Sequence, residues 1–151
     1  MKRTPPTWST INNVSPYREV DHTADWALHV WAPTLEGLFA DAARGMYALT
    51  GAAPSARALG PSPLRRRIEL KAEDYESLLV AWLQELLYHT ESEGLVFDDF
   101  RIEVLDPAHL RAEASGGTAG QPGKLIKAAT YHNLEIRRTA AGYEMTIVFD
   151  V

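Results

Sequence analysis

The chain has 151 residues, a length that fits one domain of ordinary size. Hydrophobic residues make up 46%, which is enough for a packed core, and the lack of cysteine excludes disulfides, thiol catalysis and cysteine-bound zinc. A formal net charge of −5 argues against the broad basic surface of a free-standing nucleic-acid binder. Neither a signal-peptide core nor an apolar run of about 18 residues is found, so we expect a cytoplasmic protein that does not span a membrane.

Residues 1–16 predict a flexible N-terminal arm. Three prolines alternate there with Ser, Thr and Asn, a composition that disfavours regular structure. We place a single folded domain at residues 17–151.

A polar cluster, Asp21–Asp25 (DHTAD), precedes an alternating apolar segment that begins at Trp26. The alternation predicts a half-buried strand. The same register places Asp25 on the face opposite Trp26, together with Asp21 and Thr23. We therefore expect these polar side chains to converge where the strand begins.

Two amphipathic helices are predicted, each with its own start and stop signals. Thr34 is a suitable N-cap for the first helix and Gly51 ends its apolar stripe. Asp74 can cap the second helix, whose wide apolar face runs from Tyr75 to Leu87.

The remaining segments predict strands and one flexible loop. The strand-like segments are Leu64–Lys71, two short runs within Leu95–Leu105, Leu110–Ala114, Lys124–Arg138 and Gly142–Val151. Four glycines within residues 115–123 predict a flexible loop, and residues 139–142 fit a short hairpin loop. Two helices packed on a largely antiparallel sheet give an α+β fold.

The end of the chain suggests a cation site. Asp150 is followed by Val151 and its terminal carboxylate, and both meet Asp25 if the last strand lies beside the strand that begins at Trp26. Three hard oxygen donors suit Ca²⁺, Mg²⁺ or Mn²⁺ better than ions that prefer thiolate. The alternative is that Asp25 caps a turn and Asp150 lies in solvent at a frayed end.

Other polar residues have both a functional and a structural interpretation. His22 and His132 could act as acid, base or metal ligand, or be hydrogen-bonded structural histidines. Lys127 could reach a phosphate or an acidic partner, or simply face solvent. The run Arg65–Arg67 could grip phosphate, although charged side chains that guard an edge strand are commoner.

Four segments together resemble the archease family: DHTADWALHVWAPTLEGLFADAARGMYALTG, ESLLVAWLQELLYHTESEGLVFDDF, IKAATYHNLEI and the terminal IVFDV. The resemblance covers residues 17–151 and implies a swapped-hairpin α+β fold with a β-rich insertion. It also implies a function in tRNA splicing. The protein would be a metal-binding accessory factor, not itself an enzyme, that activates an RtcB-type RNA ligase by promoting its guanylylation and multiple turnover.

The resemblance also implies roles for particular residues. Asp25, Asp150 and Val151 would hold a divalent metal ion, with calcium expected first and magnesium or manganese as alternatives. Lys127 would contact the ligase or its nucleotide, while Asp21, His22 and His132 would support the site. The RNA would be reached only through the ligase, and no membrane is expected among the partners. The loop before Lys124 is shorter and richer in glycine than in many relatives, so contacts made there could differ.

Two other functions are compatible with the residues. A stand-alone metal-dependent hydrolase would use His22 or His132 as a base and would turn over substrate without a partner. A small RNA-binding module would use Arg65–Arg67 and exposed aromatic residues, and would bind RNA in a salt-sensitive manner.

Overall fold

The computed structural model describes residues 16–20, 25–55, 64–120 and 126–151. Within these ranges the helices are α1 (Leu35–Thr50) and α2 (Tyr75–Glu93). The strands are β1 (Tyr17–Val20), β2 (Trp26–Ala32), β3 (Leu64–Lys71), β4 (Leu95–Leu105), β5 (His109–Thr118), β6 (Ala128–Thr130), β7 (Arg137–Thr139) and β8 (Gly142–Asp150).

Both helices begin where the sequence predicts, and α1 also ends there, whereas α2 continues to Glu93 through residues predicted to form a polar turn. Thr34 Oγ1 accepts a hydrogen bond from the Gly37 N–H at 3.0 Å, and Asp74 Oδ1 accepts one from the Ser77 N–H at 2.7 Å. Each side chain therefore satisfies a backbone donor that has no partner inside its own helix. At the other end of α1, Gly51 has a φ of +72°, a left-handed conformation that favours glycine.

The strands pair antiparallel and divide into two sheets, with the helices between them. One sheet has the order β1-β2-β8-β6, with β7 also paired to β8, and the other has the order β3-β5-β4. Helix α1 contacts β2 and β4, while α2 contacts β6 and β3, so each helix touches both sheets. The predicted α+β fold is confirmed, and the structure adds the division of the strands into two sheets.

The core lies where the helices meet the two sheets. Phe39, Trp82 and Phe149 are fully buried, and the Trp82 Nε1–H donates to the Phe39 carbonyl at 2.9 Å. The Tyr47 hydroxyl lies 2.8 Å from Thr90 Oγ1, and burial raises the pKa of Tyr47. Among the described residues, no buried side-chain nitrogen or oxygen lacks a hydrogen-bond partner.

The prediction of one long strand over Lys124–Arg138 is wrong. In the described part of this segment, which begins at residue 126, only β6 and β7 are strands, and a turn between them contains Asn133 with a φ of +52°. The Leu134 N–H donates to the Tyr131 carbonyl at 2.9 Å and closes this turn. The hairpin from β7 to β8 is confirmed, with Thr139 paired to Gly142.

The prediction of a flexible glycine loop over residues 115–123 is wrong for its first part. Residues 115–118 belong to β5, and a Cβ on Gly116 would lie 2.1 Å from the Val96 carbonyl oxygen. Glycine is therefore needed here for the close approach of β4, not for loop flexibility. The two short runs predicted within Leu95–Leu105 are one strand, β4, whose register shifts between Phe97 and Asp99.

Strand β1 is not predicted from the sequence. Next to it, the Pro16 carbonyl accepts a hydrogen bond from the Trp31 N–H at 2.9 Å. Residues 1–15 of the predicted arm lie outside the described residues, so the arm stays a prediction. No helix in the described ranges is both long enough and apolar enough to cross a membrane.

Candidate metal centre at the end of the β2–β8 pair

The pairing of β2 with β8 brings two acidic residues to the same end of the larger sheet. Trp26 pairs with Phe149, so Asp25 comes one position before the first paired residue of β2, and Asp150 comes one position after its partner on β8. Leu28, on the same face of β2 as Trp26, is buried beneath the helices. Because side chains alternate along a strand, Asp150 belongs to the other face, and Asp25 lies in the bend that leads into β2.

The two aspartates differ in exposure. Asp25 is half-buried, whereas Asp150 and Val151 are exposed. The oxygens that this end of the sheet offers are therefore accessible from solvent. Carboxylate and main-chain oxygens are the ligands that hard divalent cations prefer, so the chemistry of this donor set fits Ca²⁺, Mg²⁺ or Mn²⁺.

Lys127 lies at the same end of the sheet, held through the main chain. Its N–H donates to the Asp150 carbonyl at 2.8 Å, and the next residue, Ala128, pairs with Asp150. The preceding residue, Ile126, is buried, while Lys127 is exposed. The lysine therefore projects into solvent beside the terminal strand.

His132 is not brought to this end. It lies in the turn after β6, beyond the pair formed by Thr130 and Val148, whereas Lys127 lies before the first residue of β6. Its N–H donates to Thr130 Oγ1 at 3.3 Å, and its Nε2 lies 3.3 Å from Asn133 Nδ2. Asp21 and His22 lie outside the described residues, so their supporting role stays a prediction.

Two residues of the run Arg65–Arg67 form ion pairs on an edge strand. Arg66 Nη2 lies 2.7 Å from Glu93 Oε1, and hydrogen bonds from Arg66 and His89 lower the pKa of Glu93 to about 2. Arg67 Nε lies 3.3 Å from Glu69 Oε1. Since β3 is the outer strand of its sheet, these contacts agree better with charged side chains that protect a sheet edge than with a phosphate-binding site.

His29 pairs with Thr146 and lies on the same face of the sheet as Asp150, and the sequence gives it no special role. Its Nδ1 lies 3.0 Å from Thr146 Oγ1, and its Nε2 lies 3.5 Å from Glu144 Oε2. Burial lowers the pKa of His29 even though Glu144 acts in the opposite direction. The imidazole is consequently neutral near pH 7.

Helix α2 is fixed to the β6 segment by two side chains whose partners the sequence does not indicate. Gln84 Oε1 accepts from the Ala129 N–H at 2.9 Å, and Glu76 Oε2 accepts from the Ile136 N–H at 3.0 Å. Their polar character placed both side chains off the apolar face of the helix, but no local signal identifies which backbone they bind.

A metal site in the described residues cannot rest on protein side chains alone. Across residues 16–20, 25–55, 64–120 and 126–151, no three His, Cys, Asp or Glu side chains gather closely enough to hold a metal. Asp25 and Asp150 would need a further oxygen, for which Val151 is the adjacent candidate. The metal assignment stays a prediction.

Comparison with known proteins identifies relatives along almost the whole chain. The model of the archease protein family (MTH1598/TM1083) matches residues 17–151. The archease of Methanosarcina barkeri is 34% identical over 143 residues, which cover 89% of this chain and 95% of the relative. The archease of Pyrococcus furiosus is 35% identical over 133 residues, which cover 83% of this chain and 91% of the relative.

Solved structures agree with these matches. The solution structure of Methanobacterium thermoautotrophicum protein 1598 has a TM-score of 0.73 and 27% identity, covering 91% of this chain and 99% of that one. The crystal structure of a Thermotoga maritima archease, described as a possible chaperone, shares the fold with a TM-score of 0.63 and 21% identity, covering 89% of this chain and 96% of that one. The match to the family model and the identity to its members together show that this chain belongs to the archease family.

Proposed function

We propose that this protein is a metal-binding accessory factor of an RtcB-type tRNA-splicing RNA ligase. It would promote guanylylation of the ligase and its multiple turnover without catalysing a reaction itself. The observation that carries the proposal is the pairing of β2 with β8, which brings Asp25 and Asp150 to one end of the sheet beside Lys127. Membership of the archease family is the ground for the choice of partner.

The chemistry of the donor groups supports the metal part of the proposal. Asp25, Asp150 and a main-chain oxygen of Val151 would hold the cation, which would supply positive charge that offsets repulsion between the carboxylates. An all-oxygen donor set favours calcium, with magnesium or manganese as alternatives. Asp150 is the last residue of β8 and Asp25 immediately precedes β2, so both are attached to neighbouring strands, and such rigid elements are better suited to fixing ligand positions than loops.

Lys127 would contact the ligase or the nucleotide that the ligase uses. Its main-chain bond to Asp150 fixes its backbone beside the proposed metal site, and its exposed ammonium can reach a phosphate or a carboxylate of the partner. This protein would act on RNA only through the ligase. We also propose the cytoplasmic location that the sequence leads us to expect.

The observations favour neither alternative function. A hydrolase that used His132 as its base would need that residue near the two aspartates, but it lies at the other end of β6. An RNA-binding module that used Arg65–Arg67 would need these side chains available to phosphate, but Arg66 and Arg67 are engaged with Glu93 and Glu69.

A reconstituted ligation assay tests the proposal. Limiting RtcB-type ligase, guanosine triphosphate and RNA ends would be incubated with wild-type protein, Asp25→Asn or Asp150→Asn. We expect wild type to convert single-turnover ligation into many turnovers and each variant to lose most of that stimulation. Asp99→Asn, which removes an exposed carboxylate from the other sheet, is the matched control and should stimulate like wild type.

Two results would contradict the proposal. Wild-type protein that leaves ligase turnover unchanged would exclude the accessory role. Full stimulation by both aspartate variants would exclude a function for the proposed metal site.

A further inference from the structure

A cleft of about 430 Å³ lies on the smaller sheet, where the ends of β3 and β4 meet the start of β5. We call it the β3–β5 cleft. Its ionisable lining residues are Glu69, Lys71, Asp106, His109 and Arg111, and Val104 adds an exposed apolar side chain. Sites for small molecules have volumes of about 300–1,000 Å³ and combine apolar surface with a few polar groups, so the size and lining of this cleft suit a small ligand.

The strand register brings the basic side chains of the cleft together. The Ala72 N–H donates to the Ala108 carbonyl at 3.0 Å, so the next pair, Lys71 with His109, is of the non-hydrogen-bonded kind. Side chains approach most closely in such pairs, and long side chains can also reach their diagonal neighbours. Arg111 lies two residues beyond His109 on β5 and therefore shares its face. Lys71, His109 and Arg111 thus form one basic group.

The two permanent cations of this group are available to a ligand. Lys71 has no ion-pair partner among the residues that the structure describes. Arg111 Nε lies 3.6 Å from Glu103 Oε1, which is too far for a hydrogen bond, so this contact leaves the guanidinium N–H groups available. Glu69 does not neutralise Lys71, because its carboxylate is paired with Arg67 at 3.3 Å. A phosphate group would offset both positive charges, and its oxygens match the donors of a guanidinium group.

The same cleft also contains acceptors that suit hydroxyl groups. Asp106 Oδ1 accepts from the Ala108 N–H and the His109 N–H, both at 2.9 Å, and the Ala108 bond lowers the pKa of Asp106. The ionised carboxylate can only accept, so His109 Nδ1, 3.2 Å from the same oxygen, is the donor. Nε2 of the neutral ring is then an acceptor. Together with the Glu69 carboxylate, it can accept hydrogen bonds from hydroxyl groups of a ligand.

We propose that the β3–β5 cleft binds a small phosphorylated sugar. Its phosphate would lie between Lys71 and Arg111, and its hydroxyl groups would donate to Glu69 and His109 Nε2. Its carbon skeleton would cover Val104. The proposal does not depend on the function proposed above, because the cleft lies on the smaller sheet and uses none of the residues assigned to the metal or to the ligase.

Titration of the purified protein with ribose 5-phosphate, followed by ¹H–¹⁵N NMR, tests the proposal. The amide signals of Lys71, His109 and Arg111 should shift and reach saturation. Ribose and inorganic phosphate, each titrated alone, should bind at least about tenfold more weakly, because each lacks one set of hydrogen-bonding groups.

A matched pair of variants separates the cleft from the charged face around it. Lys71→Gln should weaken binding of ribose 5-phosphate by about tenfold or more, because it removes a charged donor to the phosphate. Arg101→Gln removes another exposed cation from the same sheet, but one that does not line the cleft, and should bind like wild type. Both replaced side chains are exposed, so the remaining amide signals should match those of wild type.

Three results would overturn the proposal. Wild-type protein that does not bind ribose 5-phosphate, or binds it no more tightly than inorganic phosphate, would exclude a sugar phosphate as the ligand. Unchanged binding by Lys71→Gln would exclude the proposed phosphate contact. An equal loss in Lys71→Gln and Arg101→Gln would show attraction to the charged sheet as a whole and not to the cleft.

Discussion

Gly116 is the residue at which a single methyl group should disturb the smaller sheet most directly. It pairs with Phe97 on β4, and a Cβ at this position would lie 2.1 Å from the Val96 carbonyl oxygen and 2.8 Å from the Phe97 Cα. Both atoms belong to the backbone, so no side chain can rotate away to make room. The Gly116→Ala variant must therefore push β4 and β5 apart.

The expected loss of stability follows from this geometry. Overpacking a buried site costs about 1–3 kcal/mol. The added methyl group would clash with backbone atoms of two consecutive residues, Val96 and Phe97, so we expect a cost at the upper end of this range, about 3 kcal/mol. For a chain of this size, that loss corresponds to a melting temperature lower by about 6–12 °C.

A matched control separates the clash from the general effect of replacing glycine. A methyl group on Gly51 would meet no other atom within 4 Å, but this residue has a φ of +72°, so Gly51→Ala tests backbone strain alone. We expect it to cost about 1 kcal/mol. Urea unfolding followed by circular dichroism would measure both variants. A free energy of unfolding for Gly116→Ala that equals that of wild type, or exceeds that of Gly51→Ala, would refute the close packing of β4 on β5.

Two further predictions concern local interactions. Replacing Asp74 with Ala removes the acceptor for the Ser77 N–H and should lower the free energy of unfolding by about 1 kcal/mol in urea unfolding, whereas Asp74→Asn, which keeps an acceptor, should retain most of it. Burial lowers the pKa of His29 in the folded state, so its contribution to stability is fully present above about pH 6.5 and is lost as the pH falls from there through the folded-state pKa. His29→Gln should therefore weaken the decline in unfolding free energy just below pH 6.5, and an unchanged decline would contradict a partly buried imidazole whose pKa is lowered in the folded state.

Helix ends were predictable because their signals are local. Thr34, Asp74 and Gly51 act within three or four residues of their own position, so sequence spacing suffices to place them. Strand β3 was predictable for a similar reason. Apolar and charged side chains alternate along Leu64–Lys71 because one face of the strand packs against the core.

The wrong predictions concern segments whose structure depends on backbone that is distant in the sequence. Gly116 is read as a loop residue in isolation, and only the approach of Val96 from β4 explains why glycine occupies a strand. The break between β6 and β7 depends on the turn closed by Leu134 and Tyr131, which apolar alternation does not reveal. Pairing between strands far apart in sequence carries no local signal of this kind.

The candidate site contains residues that the sequence indicates as well as contacts that only the folded chain reveals. The sequence indicates Asp25, Asp150 and Lys127; the pairing of β2 with β8 brings the two aspartates to one end of the sheet, and the main-chain bond from Lys127 to Asp150 brings the lysine there. The sequence does not indicate the bonds from Gln84 and Glu76 to the β6 segment, because no local signal identifies their backbone partners.

Calorimetric titration of the purified protein with calcium tests the central claim most directly. Wild type and the control Asp99→Asn should bind one equivalent with the same affinity, while Asp25→Asn and Asp150→Asn should each bind at least about tenfold more weakly, because each removes one of the anionic oxygen ligands. Equal calcium binding by all four proteins, or no binding of calcium, magnesium or manganese by wild type, would contradict the metal site.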